Sequence, residues 1–192
     1  MEYCHCGSIQ SFLRCGNRLK EDELREVVSC CLLGLSYLHN RNVMHRVVIV
    51  LRIEVEDIKP DNLLLSESGV VKVGDFGLAV QLEHSFSNRV GFCGTSLYAG
   101  PELYRNTAVL KSDVWSLGVS VIEMAEGRHP FAGLTMENVV NRVLNGEPPS
   151  LSSSGWSSDL VDFVRKCLVK DVNARSSVDA LLKVSVSLRY EV

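Results

Sequence analysis

Asp57, Lys59 and Asn62 stand close together in "DIKPDN", and a further carboxylate, Asp75, follows in "DFG". A carboxylate can take a proton, an ammonium can offset a developing negative charge, and amide and carboxylate oxygens are hard ligands of the kind magnesium takes. An isolated Asp-x-Lys is usually a solvated surface pair. What sets this one apart is its company, the "PDN" beside it and the "DFG" beyond. Directly before it lies an anomaly. "MHR" ends at Arg46, and ten residues, "VVIVLRIEVE" (47–56), separate it from Asp57.

Side chains like these need a scaffold, and apolar spacing predicts one. Leu24, Val27, Val28, Cys31, Leu32, Leu35 and Leu38 fall at three- and four-residue intervals, predicting a helix from Asp22 to Asn40 with one buried stripe. "NLLLSESGVVKVGDFG" reads as two short strands joined by a turn at Ser68-Gly69. The polar, serine-rich stretch from Gln81 to Ser96 reads as a long loop. Ser112 to Gly127 is apolar almost all round, the mark of a helix central to a core. Amphipathic helices are expected over Met136–Leu144 and Asp159–Leu168, with the loop "NGEPPSLSSSG" between them, and a last helix over Val178–Lys183. The expected fold is mainly α with a small β component.

The bulk properties narrow the function. The chain has 192 residues, 46% hydrophobic and 22% charged, with net charge −3. That suffices for one core and gives no support for nucleic-acid or membrane-surface binding. No apolar stretch is long enough to span a bilayer, and the start does not resemble a secretory leader, so a soluble cytoplasmic protein is expected. The seven cysteines are irregularly placed. Cys4, His5, Cys6 and Cys15 lack zinc-finger spacing, so free thiols in a reducing compartment are expected. Cys30, Cys31, Cys93 and Cys167 read as small core hydrophobes.

Taken in order, "DIKPDN", "DFG", "GPE" (100–102), "SDVWSLG" and Arg175 in "DVNARSSVDALL" resemble the large C-terminal lobe of a eukaryotic protein kinase. The resemblance covers residues 1–183, with 184–192 as a tail outside it. It implies a kinase-like fold without the small N-terminal lobe, and transfer of the γ-phosphoryl of Mg-ATP to a protein Ser or Thr. Asp57 would be the catalytic base, Lys59 would offset charge on the moving phosphoryl, and Asn62 and Asp75 would hold magnesium. Leu64 would lie under adenine. Met1 would be the gatekeeper, with the Glu2 carbonyl and Cys4 amide facing the adenine edge. Thr95 would bond Asp57 and Lys59. His45, Arg46, Phe76 and Gly77 complete the family's motifs. Glu102 and Arg175 would form a buried ion pair anchoring the peptide-binding loop, and Asp113 would hold the catalytic-loop backbone. Lys59 and Thr95 resemble the serine/threonine type. "VIEMAEGRHPF", "WSSDLVDFVRKCLVKD" and "SVDALL" resemble its germinal-centre-kinase-like branch.

Three departures modify those expectations. The resemblance begins at the hinge, without a glycine-rich loop or phosphate-binding lysine, so the chain as written is expected to be inactive or nearly so. The strongly β-prone insert 47–56 has no turn-forming residue and would displace Asp57. Val47 requires a GT-something codon and Glu56 admits GAG, the ends of an intron; Lys183-Val184-Ser185 admits a splice-donor-like string. Both segments are therefore expected to be untranslated sequence read as protein. Gly91 stands where this branch commonly has a phosphorylatable Thr, leaving Ser85 and Ser87 as alternatives whose phosphate would pair with Arg46. Two other readings stay open, a catalytically dead lobe that binds partners and a non-functional fragment.

Overall fold

The computed structural model describes residues 7–41, 43–44, 59–66, 71–73, 80–81, 86–87, 97–152 and 155–187. Their centre is the helix Ser112–Glu126, α4 in the numbering below, whose environment follows from its composition. The other elements are numbered in chain order as α1 (Ile9–Arg14), α2 (Glu21–His39), β1 (Val43–Met44), β2 (Leu63–Leu65), β3 (Val71–Val73), β4 (Val80–Gln81), β5 (Phe86–Ser87), α3 (Pro101–Tyr104), β6 (Ala108–Val109), α4 (Ser112–Glu126), α5 (Met136–Asn145), α6 (Ser158–Cys167) and α7 (Val178–Ser187).

Every residue of α4 from Ser112 to Ala125 is buried, as its all-round apolar sequence predicts. Gly127 closes the helix in the left-handed region, at φ 68°, which glycine adopts without steric cost. Helices α2 and α6 pack against it, and α7 packs on α2. Helix α2 inserts Leu24, Val27, Val28, Cys31, Leu32 and Leu35, each such side chain worth roughly 1.5–3 kcal/mol when fully buried. Glu21, Asp22 and Glu23 occupy its first turn, where the helix dipole favours negative charge, and Glu23 accepts from the Lys20 amide at 2.7 Å. On α6, Leu160, Phe163, Val164 and Cys167 face the core, and Ser157 caps its start. Gly118 admits this packing: a Cβ there would lie 2.7 Å from Cys167 Cβ.

The described strands form three antiparallel pairs. In β2–β3, Leu63 faces Val73 and Leu65 faces Val71. β1 pairs with β4, and β5 with β6. The hairpin matches the predicted strand pair, while its expected turn at Ser68-Gly69 lies outside the described residues. The predicted loop 81–96 differs at its start. Two-residue strands there, β4 and β5, pair with distant segments, and two residues are too few to show a period. The short helices α1 and α3 were not anticipated, and α7 continues past Lys183 to Ser187. Valine and serine carry little helical signal in a sequence, and there the growing helix extends into them.

Candidate active site

The catalytic-type residues are held by a tight turn. Lys59 is extended, at φ −142° and ψ 160°, and caps a 3-10 turn over Pro60–Asn62. Proline suits the first position because its φ is pre-set and no amide is needed there. The Asn62 amide donates to the Lys59 carbonyl at 2.9 Å, closing the turn. Asn62 is buried, Lys59 and Asp61 are partly exposed, and the chain then enters β2 with Leu63 fully in the core. Leu64, one step on, is half-buried and bridges to Ser8, while the Leu65 amide donates to the Gly7 carbonyl at 2.9 Å. The segment leading into α1 is thereby fastened to the hairpin that carries the turn. A second tie is looser: Arg14 Nη2 stands 3.5 Å from Asp61 Oδ1.

Below the turn lies a carboxylate that the sequence reading did not single out. Glu123 is 6% exposed, set between the buried Ile122 and Met124 on α4. It accepts a 2.5 Å hydrogen bond from the Tyr98 hydroxyl. Burial pushes its pKa above the ordinary carboxylate value. The Tyr98 hydrogen bond opposes that shift, Asp61 adds to it, and Gln10 and Lys59 oppose it. The clue was present in "VSVIEMA", where one acid interrupts a helix that is buried on every side.

Further out, Arg175 and Glu102 join α3 to the segment before α7. Arg175 Nη1 and Nη2 donate to Glu102 Oε1 and Oε2, both at 2.7 Å. The arginine also donates to the carbonyls of Val169 and Lys111 at 2.8 Å, and its guanidinium carbon lies 5.1 Å from the centre of the Trp115 ring. Both side chains are almost fully buried, so these bonds replace the water the charges gave up. Asp113, also buried, lies 2.9 Å from His39 Nε2 through Oδ2. Residues 45–58, the first part of the catalytic-loop segment assigned to it, lie outside the described residues. So do Met1, Glu2, Cys4, His45, Arg46, Asp57, Asp75, Phe76, Gly77, Gly91, Thr95 and Ser85.

Cys31 and Cys167 are buried in the core, where burial pushes their thiols well above the usual range, and Cys30 is half-buried. Cys15 is exposed, and Cys4, His5, Cys6 and Cys93 lie outside the described residues. Among the described residues no three His, Cys, Asp or Glu side chains gather as ligands to one metal ion, and no helix is long and apolar enough to cross a membrane.

Residues 1–186 match the protein kinase domain family. The chain belongs to the protein kinase family. It is similar to the serine/threonine-protein kinase dst1 of Dictyostelium discoideum, at 39% identity over 184 residues, covering 95% of this chain and 24% of that protein. It is also similar to the serine/threonine-protein kinase hippo of Drosophila melanogaster, at 36% identity over 186 residues, covering 95% of this chain and 26% of that one. The chain thus spans about a quarter of the length of these curated relatives. The expected membership, serine/threonine type in the germinal-centre-kinase-like branch, is borne out, as is a mainly helical kinase-like fold.

Proposed function

We propose that this chain supplies the large lobe of a protein serine/threonine kinase acting in the cytoplasm. The bond that forms joins a substrate Ser or Thr oxygen to the γ-phosphorus of ATP, the bond to the β-phosphate oxygen breaks, and Asp57 takes the hydroxyl proton. Lys59 offsets charge on the transferring group. Leu64 lies under adenine, Met1, Glu2 and Cys4 line its edge, and Thr95 steadies Asp57 and Lys59. Residues 1–183 make up the kinase part, with 47–56 extraneous to it, and the family match and α7 run on a few residues into the tail that starts at 184.

Magnesium fits the donor set, since the Asn62 amide and the Asp75 carboxylate are the hard oxygens it prefers. When bound, it would neutralise phosphate charge and orient the phosphates. The observation that carries the reading is the Pro60 turn, which sets Lys59 and the buried Asn62 at the entry to β2. The insert at 47–56 favours a second reading, a catalytically silent lobe that binds protein partners, because it separates Arg46 from Asp57.

The deciding experiment follows phosphate transfer from radiolabelled ATP to a Ser/Thr protein substrate. It compares the full chain with a variant lacking 47–56, each fused to a kinase small lobe. The deletion is expected to raise transfer at least about a hundredfold, as for restored catalytic positioning, and Lys59→Ala within it to abolish most of the gain. Equal and negligible transfer by both chains would favour the binding module.

A further inference from the structure

Tyr98 is held from three sides. Its carbonyl accepts from Ser116 Oγ at 3.0 Å and its hydroxyl donates to Glu123 at 2.5 Å. Residues 116 and 123 are two helical turns apart, so one face of α4 takes both ends of the tyrosine. On the remaining side stands His129, from the segment after α4. The two rings meet edge to face, with centroids 4.8 Å apart and planes at 83°, the arrangement aromatic quadrupoles favour.

The histidine is itself fixed. Its Nδ1 accepts from the Phe131 amide at 3.1 Å, so Nδ1 carries no proton and the hydrogen of the neutral ring is on Nε2. That Nε2 is buried and finds no hydrogen-bond partner among the described residues. Burial pushes the imidazole pKa down to about 4, so the ring stays neutral at physiological pH. A side chain with a simple oxygen acceptor, such as Ser or Asn, would satisfy the Phe131 amide at least as cheaply as a ring with an unpaired N–H. What the ring adds is its contact with Tyr98.

We propose that His129 is a positioning residue: with Glu123 it clamps Tyr98, and so sets the backbone from Leu97 to Gly100 on which a substrate peptide would lie. Glu123 also lies within hydrogen-bonding reach of Gln10 on α1 and within electrostatic reach of Lys59 and Asp61 in the Pro60 turn. The substrate part of this inference rests on the kinase reading above; the clamp itself does not.

Two substitutions separate the ring from the hydrogen bond. His129→Asn keeps an acceptor for the Phe131 amide and removes the ring, whereas His129→Phe keeps a ring and removes the acceptor. Hydrogen–deuterium exchange on the full chain is expected to quicken over residues 97–104 in His129→Asn, with α2 and α6 unchanged. His129→Phe is expected to restore slow exchange there. The opposite order, or no change in either variant, would overturn the clamp and leave His129 a turn former. In the 47–56 deletion fused to a small lobe, His129→Asn is expected to raise the peptide KM about fivefold, the size of one lost aromatic edge contact. Neither kcat nor the KM for ATP should move. A fall in kcat with unchanged peptide KM would refute positioning, and absence of all transfer would defeat the kinase reading while the exchange result still decides the clamp.

Discussion

Arg175 grips both carboxylate oxygens of Glu102 at 2.7 Å from a point 73 residues further along the chain. The pair joins α3 to the end of the α6–α7 connection and is closed off from water, so neither charge can be rehydrated if the other is removed. Replacing Glu102 by Ala should cost about 3–5 kcal/mol, because it strands a buried guanidinium. Arg175→Lys, which keeps the charge but cannot make two parallel bonds, should destabilise by a smaller amount. Urea unfolding of the variants checks both, and a loss below about 1 kcal/mol in Glu102→Ala, the level of an exposed pair, would contradict it.

Gly118 lies where α4 packs tightly against the end of α6. Alanine is the better helix former by about 1 kcal/mol, yet its Cβ would stand 2.7 Å from Cys167 Cβ and 2.9 Å from Leu168 Cγ. Both neighbours are buried, and overpacking of this kind costs typically about 1–3 kcal/mol. Gly118→Ala is therefore expected to lower the melting temperature despite its helix propensity. A rise in melting temperature would mean that the two helices slide apart at little cost.

Glu123 gives a pH signature opposite to that of a salt-bridged acid. Its folded pKa is raised above the ordinary 4.5, chiefly by burial. Between those values the folded state holds more protons than the unfolded state, so stability falls as pH rises through that window. Above it, a constant penalty for the buried charge remains. Glu123→Gln keeps an acceptor for the Tyr98 hydroxyl and removes the titration. The variant should gain on the wild type as pH is raised above 4.5 and hold the gain at neutrality. A stability difference that is flat with pH from 4 to 8 would refute this.

Much of the fold was legible in the sequence because the helices announce themselves by period. The stripe of α2, the all-round burial of α4 and the apolar faces of α5 and α6 follow from spacing alone, to within a residue or two. The strand pair around Leu64 was legible too. The other short elements α1, α3, β4 and β5 were not, since they span too little chain to show a period and owe their form to distant partners. The site divides in the same way. Ordered motifs identified Lys59, Asn62, Glu102, Asp113 and Arg175 as candidates, whereas Tyr98, Glu123 and His129 carried no assignment.

By itself, the sequence determined the kinase family of this chain, its helical body and the types of side chain in the Pro60 turn. Those depend on local pattern and on motif order, which survive without coordinates. The tertiary structure alone decided that Glu123 meets Tyr98 across 25 residues and that His129 sets its ring edge to face with the same tyrosine. Contacts of that kind arise from how α4 and the segments around it pack, and no short-range spacing encodes them.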